Sequence, residues 1–193
     1  EKQFRNPVEY GGPKPKCSTF TVTGGVSGLI SRTKSNIKIE SSTIGTVSDM
    51  NQKDAYNMGA VMASAAGDTI YKHLCDTGRN INYYDMIFTG DLGVIGKKIL
   101  KDYLKEAYNI DLKNYDDTAC MIYDLNNQDV YSGGSGPACV MAVLYSYIVK
   151  RMKEGKWKKV LIVGTGSLHN TTLVNQKLSI PSIAHAISLE VIK

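Results

Sequence analysis

Three short segments of the chain carry residue types whose spacing could do chemistry. Ser132-Gly133-Gly134-Ser135-Gly136 runs directly into Pro137 and an apolar helical pattern. The free N–H groups of a helix's first turn, at the positive end of its dipole, would hold a carboxylate or a phosphate there. The loop has neither the lysine of a P-loop nor the spacing of a dinucleotide fingerprint, so glycines needed only for a tight turn are the other reading. Thr89-Gly90-Asp91-Leu92 follows an apolar run directly, which places Asp91 at the end of a strand, either facing a ligand or capping the next helix. Gly164-Thr165-Gly166-Ser167 follows Val160-Leu161-Ile162-Val163 and reads as a loop at the carboxyl end of a central strand, where open α/β sheets bind their ligands.

The remaining reactive residue types are scattered. His73, His169 and His185 are far apart; His73 lies on an apolar helical face and reads as a satisfied core residue, while His185 lies in a strand pattern with its direction open. Cys17, Cys75, Cys120 and Cys139 form no C-x-x-C pair and no His-Cys cluster of zinc spacing. They are expected to be reduced, structural thiols. No serine sits in a G-x-S-x-G elbow, and no cofactor or metal is implied.

The elements that must position these segments follow from periodicity. Residues 18–31 read as a strand interrupted by Gly24-Gly25 and Gly28, and residues 36–47 as a second strand paired to it through the turn at Lys34-Ser35-Asn36. Residues 57–77 place Met58, Val61, Met62, Ala65, Ala66, Ile70 and Leu74 on one helical stripe that stops at Gly78. A short buried strand at 85–90, a helix at 93–108, an extended segment at 119–123, a helix at 137–152, and strands at 159–163 and 183–191 complete the order. This is the pattern of a layered α/β domain with helices on both faces of a mixed sheet.

Composition bounds the rest. With 193 residues, 42% of them hydrophobic, the chain can bury a core of its own, and disorder or a bare linker is excluded. No apolar run approaches the roughly 18 residues needed to cross a bilayer. The net charge of +5 is concentrated visibly in Lys150-Arg151-Met152-Lys153-Glu154-Gly155-Lys156-Trp157-Lys158-Lys159, a helix end and loop that lysines keep solvated and that could also meet lipid headgroups. No nucleic-acid-binding motif accompanies it.

In order along the chain, Phe4-Arg5-Asn6-Pro7-Val8-Glu9-Tyr10-Gly11-Gly12, Thr89-Gly90-Asp91-Leu92, Tyr131-Ser132-Gly133-Gly134-Ser135-Gly136 and Ile180-Pro181-Ser182-Ile183-Ala184-His185-Ala186 resemble the stage V sporulation protein AD family of endospore-forming bacteria. The resemblance implies a thiolase-like fold of two pseudo-symmetric halves, related to ketoacyl synthases. Residues 17–193 would be the C-terminal half and residues 1–16 a lead-in loop, with the half that carries the family's cysteine lying before this chain; the non-Met start fits a fragment. In such folds the three glycine-bearing loops converge on one pocket. Asp91 stands where a ketoacyl synthase has its catalytic His, and Gly133-Gly134-Ser135 where it has its catalytic Asn. A carboxylate there would repel a developing enolate, so the resemblance implies a binding protein and not an enzyme, the alternative being an acyltransferase acting on a CoA or carrier-protein thioester. Pro137 stands where the family usually has Cys, while Cys139 remains.

The ligand that the resemblance implies is dipicolinic acid, a flat dianion often chelated with calcium. Arg5, Lys14, Asp91, Gly134, Ser135, Gly136, Gly166 and His185 are the candidate ligand-binding residues. The implied setting is peripheral to the spore inner membrane, with other stage V sporulation A proteins as partners and no nucleic acid. Self-association is also expected, from an apolar patch of Met141, Leu144 and Ile148 on the helix after Pro137.

Overall fold

The computed structural model describes residues 14–192. A five-stranded mixed sheet runs in the order β2 (Ile37–Ile44), β7 (Ser182–Val191), β6 (Lys159–Ser167), β3 (Met86–Thr89), β4 (Tyr115–Asp117). β6, β3 and β4 are parallel, and β7 is antiparallel to both of its neighbours. A separate two-stranded pair joins β1 (Phe20–Thr21) to β5 (Gly134–Ser135) in parallel.

Alternation along the strands splits the core in two, because successive side chains point to opposite faces. Ile87, Leu161 and Val163 pack on α1 (Met58–Thr77) and α2 (Gly93–Tyr108). Phe88, Val160 and Ile162 pack on the other face, against the helical run that starts with α3 (Cys139–Val143) and ends with α4 (Val149–Lys153). The α/β class, the mixed sheet and helices on both faces are therefore as the sequence indicates. α1 opens on Asn57, whose Oδ1 accepts from the Ala60 amide, and closes at Gly78. α1 and α2 cross at Gly59 and Gly96, where a Cβ on either residue would lie within 2.7 Å of the other helix's backbone.

Three expectations about these elements need correction. The first strand is only two residues long, and β2 pairs with β7 instead, since its alternating apolar residues extend the main sheet. The extended segment near 119–123 is displaced: the strand is Tyr115–Asp117, followed by a 3-10 turn, Thr118–Cys120. Gly164 to Ser167 continue β6, paired with His185 through Ser182, and are not a loop. A short helix, α5 (Thr171–Asn175), capped by Asn170, follows β6.

The patch after Pro137 is also different. Leu144 and Ile148 are buried within the chain, leaving Met141 and Tyr145 exposed. A π-helical stretch, Leu144–Ile148, separates α3 from α4. Its wider turn keeps Cys139, Val143, Leu144, Ile148 and Met152 on the buried side, with the adjacent Val143 and Leu144 both facing inward.

His73 is a satisfied core residue, as expected. It is fully buried between Thr43 Oγ1 (2.8 Å) and Tyr84 OH (2.6 Å), and burial holds its pKa below the ordinary histidine value. Beside it, the Arg79 guanidinium pairs with the Glu40 carboxylate, which also accepts from Ser188. The Arg79 hydrogen bond is the main cause of the Glu40 pKa being lowered from 4.5 to about 2. A depressed carboxylate contributes stability above its unfolded pKa and loses it as pH falls through the folded one. Arg79→Met is accordingly expected to cost roughly 2–3 kcal/mol at pH 7. That deficit should shrink as pH falls from 4.5 toward 2 in urea titrations.

Candidate functional site

The site is assembled at the carboxyl ends of β3 and β6. β3 ends at Thr89, and the chain turns through Gly90 and Asp91 into α2; Asp91 adopts a left-handed φ of 63°. That turn aims the Asp91 carboxylate across to the glycine-rich loop, where Oδ2 accepts from the Gly136 amide at 3.0 Å. β6 closes the third side. Thr165 Oγ1 donates to the Gly90 carbonyl at 2.6 Å, which places Gly166 beside the same turn.

The glycine-rich loop is held from the outside. β5 pairs with β1, and the Ser135 hydroxyl is buried against Thr19 Oγ1 at 2.8 Å. Gly133 has φ 109°, and a Cβ there would lie 2.2 Å from the Ala119 carbonyl oxygen. Helix α3 begins at Cys139, two residues later than the pattern indicates. The Gly136 amide, just before it, is the donor that meets a carboxylate.

Beneath the turn lies a residue that sequence reasoning did not single out. Asp117, fully buried at the end of β4, accepts four hydrogen bonds: from Thr89 Oγ1 (2.5 Å) and the amides of Leu92 (3.3 Å), Gly93 (3.0 Å) and Ala119 (3.0 Å). Tyr115 OH lies 2.7 Å from Thr89 Oγ1 and, with Thr89 donating to Asp117, is the donor to it. One carboxylate thus ties β3, the first turn of α2 and the 3-10 turn together. Burial raises the Asp117 pKa from 3.8 to about 6, against the opposing pull of its four donors. The sequence signal available for it was the Asp-Thr-Ala order of an aspartate capping a short turn.

The thiols next to the site keep their protons. Burial, with the Asp91 and Asp117 charges, pushes Cys139 well above the ordinary range, and burial and Asp117 push Cys120 up to about 12. None of the four cysteines forms a disulfide.

Of the candidate residues, Asp91 and Gly136 meet directly, Gly134 and Ser135 lie in the same loop as Gly136, and Gly166 follows Thr165 in β6. His185 is exposed, sits opposite Gly164 across the β6–β7 ladder, and uses Nδ1 to accept the Gly45 amide at 3.1 Å. Lys14 lies with its ammonium 4.7 Å from the Phe20 ring centroid, next to Tyr131, which leads into the glycine-rich loop. Arg5 lies outside the described residues. A groove of about 530 Å³ lies elsewhere, at the C-terminal ends of α1 and α2, lined by Tyr71, Cys75, Arg79, Tyr108 and Lys113 among others; none of the candidate residues borders it.

Comparison with known proteins gives a consistent result. The family model described as stage V sporulation protein AD matches residues 1–190. Stage V sporulation protein AD of Bacillus subtilis (strain 168) is 47% identical over 191 residues, covering 98% of this chain and 56% of the relative's length. The chain thus spans a little over half of the curated relative it matches. Among solved structures, 3-oxoacyl-[acyl-carrier-protein] synthase III from Aquifex aeolicus aligns with a TM-score of 0.43 and 13% identity, over 82% of this chain and 46% of that one. The corresponding synthase from Pseudomonas aeruginosa aligns with a TM-score of 0.38 and 11% identity, over 79% and 50%.

Proposed function

Because the chain belongs to the stage V sporulation protein AD family, we propose that it is a non-catalytic binding component for dipicolinic acid, taken as its calcium chelate, in the machinery that loads the developing spore. It acts in this reading at the periphery of the spore inner membrane, with other stage V sporulation A proteins as partners. The described residues include no helix long and apolar enough to cross a membrane.

The observation that carries the reading is Asp91. A carboxylate fixed by the Gly136 amide in the middle of the converging loops faces a bare dianion with like charge, but it offers a ligand to a cation. Calcium takes six to eight oxygen-rich ligands. Dipicolinate supplies two carboxylates and a ring nitrogen, which leaves positions on the metal for Asp91. In this reading the ligand holds the calcium and Asp91 caps it.

Calorimetric titration of the full-length protein is the test. Dipicolinate with equimolar calcium is expected to bind more tightly than dipicolinate alone, and Asp91→Asn to weaken the chelate at least tenfold while leaving the dianion's affinity equal or higher. Equal affinity for both forms, unmoved by Asp91→Asn, would remove Asp91 from the site. Turnover of an acyl-CoA that disappears on substituting a cysteine would replace the binding reading with the acyltransferase one.

A further inference from the structure

Among the described residues, the end of the sheet opposite the candidate site carries the most concentrated positive charge. β3 and β6 start there, at Met86 and Lys159, and β7 finishes there. α4 delivers Lys150, Arg151 and Lys153 to the same end, and the turn that follows adds Lys156 and Lys158. Lys38 and Lys159 stand opposite Glu190 in the strands on either side of it.

The acids nearby are already engaged. Glu154 pairs with Arg151 at 2.9 Å and Glu190 with Lys38 at 2.9 Å. Asp85 accepts the backbone amides of Lys158 and Lys159 at 2.6 and 2.9 Å. Lys150, Lys153, Lys156 and Lys158 are exposed and have no acidic partner among the described residues. Amid them sits Trp157, half-buried with its ring against Phe88 and Tyr147, and the Lys156 ammonium lies 5.2 Å from its centroid.

We propose that this lysine-rich end is the face by which the protein docks on a bilayer surface rich in anionic headgroups. Flexible lysines around a half-buried tryptophan suit a diffuse layer of negative charge. A nucleic acid would call for arginine forks or an open stacking ring, and Trp157 is packed from within. Docking by this end orients the molecule. The candidate site is held off the membrane by the part of β6 from Lys159 to Thr165, six steps of roughly 3.3 Å each. The inference takes the membrane location from the proposed function and nothing from its ligand.

Co-sedimentation of the full-length protein with vesicles tests it. Vesicles of phosphatidylcholine containing about a third phosphatidylglycerol should pellet the protein, pure phosphatidylcholine vesicles should not, and binding should fall as salt rises. At about fivefold per lysine, the variant K150Q/K153Q/K156Q/K158Q should lose at least about a hundredfold in partitioning. K72Q/K98Q/K101Q/K105Q removes the same charge from the outer faces of α1 and α2 and should stay within about threefold of the parent. Equal losses in the two variants, no preference for anionic vesicles, or tighter binding to a single-stranded RNA than to vesicles would each overturn the proposal. Calcium-dipicolinate titration of the first variant separates the two readings, since pocket affinity should be unchanged whether or not the docking face is correct.

Discussion

Asp117→Ala is expected to lower the stability of the folded chain by roughly 3 kcal/mol at pH 7, because three buried amides and the Thr89 hydroxyl lose their common acceptor. Each orphaned donor costs about 1 kcal/mol or more, and removal of a buried charge offsets part of the sum. The effect also depends on pH, with a sign fixed by linkage. The Asp117 pKa is raised from 3.8 to about 6. A raised carboxylate contributes stability that is fully present below the unfolded pKa and is lost as pH rises through the folded one. Alanine does not titrate, so the deficit of the variant should grow by about 2 kcal/mol between pH 7 and pH 4.5. His73, held low by burial, acts in the opposite direction as pH falls below its ordinary value, which is why the difference between parent and variant is the quantity to measure. Urea titrations at the two pH values check it, and a deficit that is flat or shrinks toward acid would contradict the buried, proton-accepting role of Asp117.

What could be read in the sequence and what could not divide along local and nonlocal physics. α1 and α2 were legible nearly to the residue, because their apolar stripes repeat at the helical period and Gly78 or a polar Asn109 stops them. β3 was legible as a short apolar run that ends in Thr-Gly-Asp. β4 was not: Tyr-Asp-Asp has no apolar alternation, and its place in the sheet comes from a parallel partner 28 residues away. Without β4, Asp117 had no visible reason to matter. The β1–β5 pair joins residues more than a hundred positions apart through two rungs, which no local pattern announces. In β6, Gly164 and Gly166 suggested a loop because glycine is depleted in strands, yet the antiparallel partner β7 carries the pairing on through Ser167. The candidate site follows the same division. Asp91 and the glycine-rich loop were visible as segments, and the contact of the Gly136 amide with Asp91 became visible only when the fold brought together two loops 45 residues apart.

Gly133→Ala should cost roughly 4 kcal/mol or more. At φ 109° an L-residue is strained whatever the space around it. The added Cβ would also sit 2.2 Å from the Ala119 carbonyl oxygen and 2.8 Å from its carbon, backbone atoms with no rotamer to move. Ala119 is the residue whose amide Asp117 holds, so the methyl displaces one of the four donors of the buried carboxylate. Substitutions that disrupt one shared contact are not additive. The double variant Gly133→Ala, Asp117→Ala is therefore expected to be less unstable than the sum of the singles by at least about 1 kcal/mol, measured by denaturant titration. Strict additivity would mean that loop and turn are independent walls. Coupling would assign the two open readings of the glycine-rich loop to different residues: Gly133 is glycine so that the loop can press against the 3-10 turn, and Gly136 presents the amide that meets a carboxylate.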